Sequence, residues 1–170
     1  MAKTFVVGDT HFYDENILHF CDRPFKTVEE MNNYMVFKWN EVVSNEDTVI
    51  VNGDFACGTE EELVEVGKCL KGKKVLVRGN HDTMPDEVYY AAGFEKVYDY
   101  PILVKEFFLV SHEPLFVQRN GVFANVFAHV HDHPAYVTAS SRSYCTSVER
   151  NSYVPVEMGA MVEAMKQAVN

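Results

Sequence analysis

Three short apolar runs constrain the fold of this chain more than any other feature, because each stops abruptly at glycine and polar residues. β-Branched runs of this length, bounded in this way, are typical of buried strands that end in polar loops. The runs are Thr4–Val7 before Gly8-Asp9, Thr48–Val51 before Asn52-Gly53-Asp54, and Lys74–Val77 before Arg78-Gly79-Asn80-His81-Asp82.

Helical patterns separate these strands. Thr27-Val28-Glu29-Glu30 is a capping-box sequence, and apolar residues follow at helical spacing as far as Val43. A second capping box begins at Thr59 and leads to Leu70, and Pro85 can start a third helix that Gly93 ends. Strands that alternate with helices predict crossover connections and a largely parallel sheet.

The second half of the chain has a different pattern. Its strand-like runs lack helical segments between them, so antiparallel pairing is expected there. A last helix over Val156–Val169 carries methionines at helical spacing, which favours a core role. No internal repeat or linker divides the chain, which predicts one domain over residues 1–170. The strand-like runs are Val97–Val104, Phe107–Val110, Val122–Ala128 and Tyr144–Val148.

Charge and composition exclude several classes of partner. With 15 basic and 25 acidic residues the net charge is −10, which repels phosphate polymers and anionic lipid, so no membrane partner and no basic nucleic-acid groove is expected. The apolar runs are too short to cross a bilayer, and no signal-peptide core follows Met1, which favours a cytoplasmic protein. The four cysteines lack paired spacing, so reduced thiols are expected.

Potential metal ligands follow the predicted strands. Asp9 and His11 are two residues apart, as are His129 and His131, so each pair points the same way from an extended segment. Carboxyl ends of parallel strands meet at one edge of a sheet, where ligands bind. A mixed nitrogen and oxygen set suits manganese, iron, zinc, cobalt or nickel better than calcium or magnesium alone. The candidates are Asp9, His11, Asp54, Asn80, His112, His129 and His131.

In this order and spacing the motifs resemble those of the calcineurin-like metallophosphoesterases. Gly-Asn-His-Asp followed by a distal His-x-His is a specific combination, and the likeness extends from residue 9 to residue 131. It implies a four-layer α/β sandwich of two mixed sheets flanked by helices. The motifs are Asp9-Thr10-His11, Gly53-Asp54, Gly79-Asn80-His81-Asp82, His112 and Ala128-His129-Val130-His131.

The resemblance also implies a centre of two divalent transition-metal ions, with Mn²⁺ favoured and Fe, Zn, Ni or Co as alternatives. Asp54 would bridge the ions and, with His81, serve catalysis, while Asn80 and His81 would contact the phosphate. Two ions, two aspartates and a bridging hydroxide leave about one positive charge, and in-line attack by that hydroxide is the expected mechanism. By resemblance Asp9, His11 and His131 bind one ion, and Asn80, His112 and His129 bind the other.

Two positions depart from the family pattern. In the protein-phosphatase branch a second aspartate in the second motif supports the catalytic histidine, but here Asp54 is followed by Phe55-Ala56-Cys57-Gly58. Protein phosphatase activity is therefore disfavoured, and whether Asp82 orients His81 stays open. Ala128 stands where the family usually has glycine, which alanine tolerates if its φ is negative.

Several other residues could contribute to the site. Arg23 is the first candidate to contact a phosphate oxygen. His133 and His19 are expected to lie outside the ligand set, and Cys57 is expected to be a buried apolar group. The other candidates for a phosphate contact are Arg78, Arg119 and Arg142.

Hydrolysis of a small phosphate ester is the expected function, with phosphodiesters favoured over phosphomonoesters and a nucleotide as a possible substrate. One alternative is a non-catalytic scaffold of the same fold, like the retromer subunit of the family, which lacks the full set of histidines. Another is a nuclease, which the −10 charge disfavours. A single structural zinc is also disfavoured, because such sites are normally rich in cysteine.

Overall fold

The computed structural model describes residues 2–118 and 120–168, so Arg119 and Val169 lie outside the described residues. The strands are β1 (Thr4–Val7), β2 (Thr48–Val51), β3 (Lys73–Val77), β4 (Phe94–Tyr98), β5 (Ile102–Val104), β6 (Phe108–Val110), β7 (Ala124–Phe127), β8 (Ala139–Ser140), β9 (Ser143–Cys145) and β10 (Val156–Glu157). The helices are α1 (Glu15–Phe20), α2 (Val28–Val42), α3 (Glu60–Cys69), α4 (Asp86–Ala91) and α5 (Met158–Gln167), with a short 3-10 helix at Val148–Asn151.

The predicted helix starts are confirmed at α2 and α3. The Thr27 side chain accepts a hydrogen bond from the backbone N–H of Glu30. At α3 the capping box is complete, because Thr59 and Glu62 each accept from the other's backbone N–H. The last helix begins later than expected, since Val156 and Glu157 pair with β1 as a strand before α5 starts.

The first sheet has the order β10-β1-β2-β3-β4. Strands β1 to β3 run parallel, as the alternation of strands and helices predicts. Strand β4 also runs parallel, so the expectation of antiparallel pairing is wrong for the start of the run Val97–Val104, and β10 pairs antiparallel at the edge. Val7 is opposite Val51, and Val51 is opposite Leu76, so three strands end nearly level with one another. The loops that follow them therefore emerge side by side.

The second sheet has the order β5-β6-β7-β9-β8, and its pairing was only partly as expected. β5–β6 and β8–β9 are antiparallel, whereas β6–β7 and β7–β9 are parallel. The expectation of antiparallel pairing is wrong for the β6–β7 and β7–β9 pairs. The long irregular connections between these strands carry the chain back to the end of the sheet at which the previous strand began, so the next strand runs in the same direction. The run Val97–Val104 is also divided between the sheets, with β4 in the first, β5 in the second and Asp99-Tyr100-Pro101 between them.

Two buried clusters hold the layers together. Val6 and Ile50 of the first sheet pack with Val110 of the second, so the two sheets lie face to face. Alternate residues such as Val49 point the other way, into a cluster that contains Trp39 from α2. The predicted α/β class, with two mixed sheets and flanking helices, is thereby confirmed.

The remaining sequence-wide expectations concern membranes and thiols. Within residues 2–118 and 120–168, every helix falls short of the length and apolar character that a membrane span requires. The four cysteines are free: Cys21 and Cys145 are buried, and Cys57 and Cys69 are exposed.

The methionine stripe of α5 provides a test of its core role. Met161 is fully buried among residues of both sheets, so Met161→Ala should lower the free energy of unfolding by about 2–5 kcal/mol. Urea denaturation measures this change. Lys166→Ala on the exposed face of the same helix should cost less than about 1 kcal/mol; equal costs for the two variants would show that α5 does not dock through its methionines.

Candidate metal centre

All seven predicted ligands lie in loops that directly follow strands, and their side chains converge at one edge of the two sheets. Asp9, Asp54, His11 and His112 are buried, whereas Asn80 and His129 are exposed and His131 is intermediate. The loops follow β1 (Asp9 and His11), β2 (Asp54), β3 (Asn80), β6 (His112) and β7 (His129 and His131).

Most of these residues have an unusual backbone conformation. A positive φ is uncommon for residues other than glycine, and clusters of such residues mark functional sites. The paired ligands therefore do not lie on extended segments, contrary to what their two-residue spacing suggested. The positive φ angles are 56° at Asp9, 48° at His11, 55° at Asp54, 71° at His129 and 47° at His131.

Ala128 occupies the position where the family usually has glycine, and its backbone conformation suits alanine. Its φ is not positive, so alanine is not strained there. Gly8 and Ala128 lie in close contact and must both be small, because a Cβ atom on Gly8 would lie 2.3 Å from the Cβ atom of Ala128. This close approach brings the loop after β1 against the loop after β7. Next to it, the backbone N–H of His129 donates to Asp9 Oδ1 at 3.0 Å.

One ligand group consists of Asp9, His11 and His131. A ligand atom from each lies within 4.8 Å of the other two. Asp9 Oδ2 and His11 Nε2 are buried and have no hydrogen-bond partner. Buried polar atoms without partners are costly, and a cation at this position would satisfy both of them. The group therefore fits a divalent metal ion.

A second ligand group consists of Asp54, His112 and His129, whose ligand atoms also lie within 4.8 Å of one another. The amide oxygen of Asn80 is 3.0 Å from His112 Nε2 and belongs to the same cluster. Asp54 Oδ2 is 3.4 Å from His11 Nε2 and 3.3 Å from His112 Nε2, which places this oxygen between the two groups. The donor set thus fits two ions that share one carboxylate.

The charge state of Asp54 suits a ligand. Burial raises the pKa of its carboxyl, but the neighbouring imidazole rings of His11 and His112 outweigh burial and hold that pKa well below its usual range. The group is therefore an anion at any physiological pH. Its second oxygen, Oδ1, accepts from the backbone N–H of His81 at 2.9 Å.

Three histidines of the site have partners that the sequence did not reveal. Each partner accepts from Nδ1, so Nε2 is the ring nitrogen left to bind an ion, and such contacts orient metal-ligating histidines. For His112 the direction is certain, since its partner is a carbonyl that can only accept. The pairs are His11 with Asp14 Oδ2 at 3.1 Å, His112 with the Asn52 carbonyl at 3.0 Å, and His131 with Glu149 Oε1 at 3.0 Å.

The structure corrects the interpretation of Arg23 as a substrate contact. Its guanidinium is fully buried and donates to Glu149 Oε1 and to the carbonyls of Asp9 and Thr10. Burial raises the pKa of Glu149, but the hydrogen bond from His131 and the charge of Arg23 lower it to about 2. Arg23 therefore supports the ligand loop from behind and is turned away from any substrate.

The open question about Asp82 is also answered. Its buried carboxylate accepts from the backbone N–H groups of Asp54 at 2.7 Å, Phe55 at 2.9 Å and Gly79 at 2.8 Å. These bonds join the loops after β2 and β3. Asp82 therefore fixes backbone and does not orient the ring of His81, which is exposed beside the ligands.

Four further residues complete the comparison with the sequence. Cys57 is exposed, so the expectation of burial is wrong; it lines the cavity beside His11, with Sγ 3.6 Å from His11 Nδ1. His133 and His19 are exposed and lie outside both ligand groups. Arg78 pairs with carboxylates and with the carbonyl of Asp82, so it too has a structural role.

Asp82→Asn tests the role of this carboxylate in the backbone. An amide of the same shape turns one acceptor into a donor that faces a backbone N–H, so unfolding free energy should fall by about 1–3 kcal/mol. Chemical denaturation of the metal-free protein measures the loss. Asp22→Asn at an exposed position is the matched control; an equally small change in both variants would contradict the role assigned to Asp82.

Comparisons with known proteins agree with this fold. An uncharacterized protein of Methanocaldococcus jannaschii is 30% identical over 98% of this chain and 93% of its own length. A crystal structure of a protein of unknown function from Aquifex aeolicus superimposes with a TM-score of 0.71 and 26% identity, over 96% of this chain and 99% of that one. A nuclease of Pseudomonas putida shares the fold, with a TM-score of 0.51 and 22% identity over 75% of this chain and 61% of that one.

A family model decides the assignment. The model described as calcineurin-like phosphoesterase matches residues 2–147, which include every candidate ligand. The chain belongs to the calcineurin-like phosphoesterase family.

Proposed function

We propose that this phosphoesterase hydrolyses small phosphodiesters at a centre of two divalent metal ions, with phosphomonoesters as the second substrate class. The observation that carries the proposal is the position of Asp54, whose Oδ2 lies 3.4 Å and 3.3 Å from the Nε2 atoms of His11 and His112. A carboxylate between two ligand groups is the arrangement that a bridging ligand needs.

Each of the two ligand groups would bind one ion. Asp9, His11 and His131 would hold one ion, and Asn80, His112 and His129 the other, with Asp54 shared. The nitrogen and oxygen donors favour Mn²⁺, with Fe, Zn, Ni or Co as alternatives. When bound, two such ions lower the pKa of a coordinated water and stabilise the attacking and leaving oxygens of an in-line displacement.

His81 acts on the substrate side of the site. Its backbone is fixed by the hydrogen bond to Asp54 Oδ1, and its ring is exposed and packs edge-on against His11 at 5.1 Å between centroids. From there it can hydrogen-bond to a phosphate oxygen and give a proton to the leaving alcohol. In protein phosphatases an aspartate supports this histidine. Asp82 does not take that role here, because its carboxylate accepts hydrogen bonds from backbone N–H groups.

Charge favours a small substrate. The ligand carboxylates Asp9 and Asp54 are outweighed by two divalent ions, so a phosphate is attracted locally, while the net charge of −10 repels a long polyanion. A nucleotide-sized ester satisfies both conditions. Polymeric nucleic acid is therefore the less favoured substrate. We also propose that the reaction takes place in the cytoplasm.

Asp54→Asn tests the shared carboxylate. In chelator-stripped protein resupplied with Mn²⁺, we expect turnover of bis-p-nitrophenyl phosphate to exceed that of p-nitrophenyl phosphate. The variant should lose at least about 100-fold, because a neutral amide cannot bridge two cations. Release of p-nitrophenolate is the measurement, and Asp22→Asn is the control. A protein that binds two ions but hydrolyses neither ester would favour the scaffold function instead.

Glu149→Gln tests the support of the first ligand group. The amide weakens the acceptor of His131 Nδ1–H and leaves the buried Arg23 without its counter-charge. We expect Mn²⁺ affinity to fall by about 10–100-fold at one of two sites, as measured by titration calorimetry of the apoprotein. Glu163→Gln, on the exposed face of α5, should leave both affinities unchanged. Wild-type affinities in the Glu149 variant would exclude this role.

A further inference from the structure

A cavity of about 630 Å³ opens beside the first ligand group. His11, His81 and His131 form its inner wall. This volume falls within the range of small-molecule pockets, about 300–1,000 Å³, and exceeds what a phosphate group requires. With the phosphate at the metal ions, the remaining space is available to the organic part of the ester.

The outer wall of the cavity offers an aromatic surface. Phe20, at the end of α1, is 80% exposed although it is a large apolar side chain. Its ring is edge-on to His131, with 6.2 Å between centroids, which places it at the mouth of the site. An exposed ring at this position gains contact area when a flat partner packs against it.

The carboxylates that line the cavity give it an acidic character. Asp14 and Glu15 are its carboxylates, and neither lysine nor arginine is among the described residues that line the cavity. Asp14 accepts from His11 and from the backbone N–H of Asn16, whereas Glu15 is exposed at the wall. A second anionic group on the substrate would therefore be repelled.

We infer that this cavity receives the organic group of the ester and selects a neutral or cationic ring over an anionic one. The inference rests on the proposed function, since the phosphate must be held at the metal ions for the ring to reach Phe20 and Glu15. The chemical class is an aryl or nucleoside phosphate ester without further phosphate or carboxylate groups. Nucleotide polyphosphates and nucleic acid strands fall outside this class.

Binding of phosphonates tests the cavity independently of turnover, because their P–C bond is not hydrolysed. Mn²⁺-loaded protein is titrated calorimetrically with methylphosphonate, phenylphosphonate and 4-carboxyphenylphosphonate. We expect phenylphosphonate to bind about tenfold more tightly than methylphosphonate, from ring packing. The added carboxylate should weaken binding by about threefold or more.

Two variants assign these differences to residues. Phe20→Ala should abolish the advantage of the phenyl ring, and Glu15→Lys should remove or reverse the penalty of the carboxylate. Matched controls are Phe37→Ala and Glu29→Lys, which change exposed residues of α2 away from the cavity and should leave all three affinities as in the wild type.

The outcomes separate this inference from the proposed function. If methylphosphonate binds but the ring adds nothing, or if the variants bind as the wild type does, the inference is overturned and the metal centre stands. If none of the three phosphonates binds the metal-loaded protein, both fail. The expected ring preference together with its loss in Phe20→Ala supports the inference even if no ester tested is turned over.

Discussion

The buried carboxylate of Asp54 is the group on which the arrangement of this site depends. One of its oxygens lies between His11, in the loop after β1 of the first sheet, and His112, in the loop after β6 of the second, and the other accepts from the backbone of His81. Three loops and both sheets therefore meet at a single side chain. Because a buried anion is costly without compensation, these groups must either share protons or bind cations. The unpartnered Asp9 Oδ2 and His11 Nε2 atoms point to cations.

The side chains around the ligands hold a backbone that would not keep its shape alone. Five candidate ligands have positive φ, which costs free energy at each residue and persists only where surrounding contacts enforce it. Asp82 joins two of the ligand loops through three N–H groups, and Arg23 holds the carbonyls of Asp9 and Thr10 from behind. Rigid loops of this kind keep the ligand atoms in place before any ion arrives, which reduces the ordering cost of binding.

Charge in this protein is arranged on two length scales. The chain as a whole is acidic, at −10, while the proposed ions create a small positive region at the edge of the sheets. The cavity continues the acidic character up to that region through Asp14 and Glu15. A substrate with one phosphate and an uncharged ring would experience attraction at the proposed ions and little repulsion elsewhere. This distribution explains how an acidic protein can act on a phosphate ester.

The resemblance of the motifs to a known family predicted the two-sheet α/β class, whereas local patterns in the sequence were enough to predict strands β1 to β3, the capped helices α2 and α3 and the residues that converge at the strand ends. These features depend on neighbours within a few residues, since strand period, capping and motif spacing are local. Only the tertiary structure decided the parallel pairs of the second sheet, the role of Arg23, and the partners Asp14, Asn52 and Glu149. Arg23 and Glu149 are 126 residues apart along the chain, and no local pattern records a contact of that kind. Cys57 shows the same limit, because its exposure depends on a cavity whose walls come from distant loops. The sequence by itself therefore determined which residues could bind metal, and the packing of the two sheets decided what holds those residues in position.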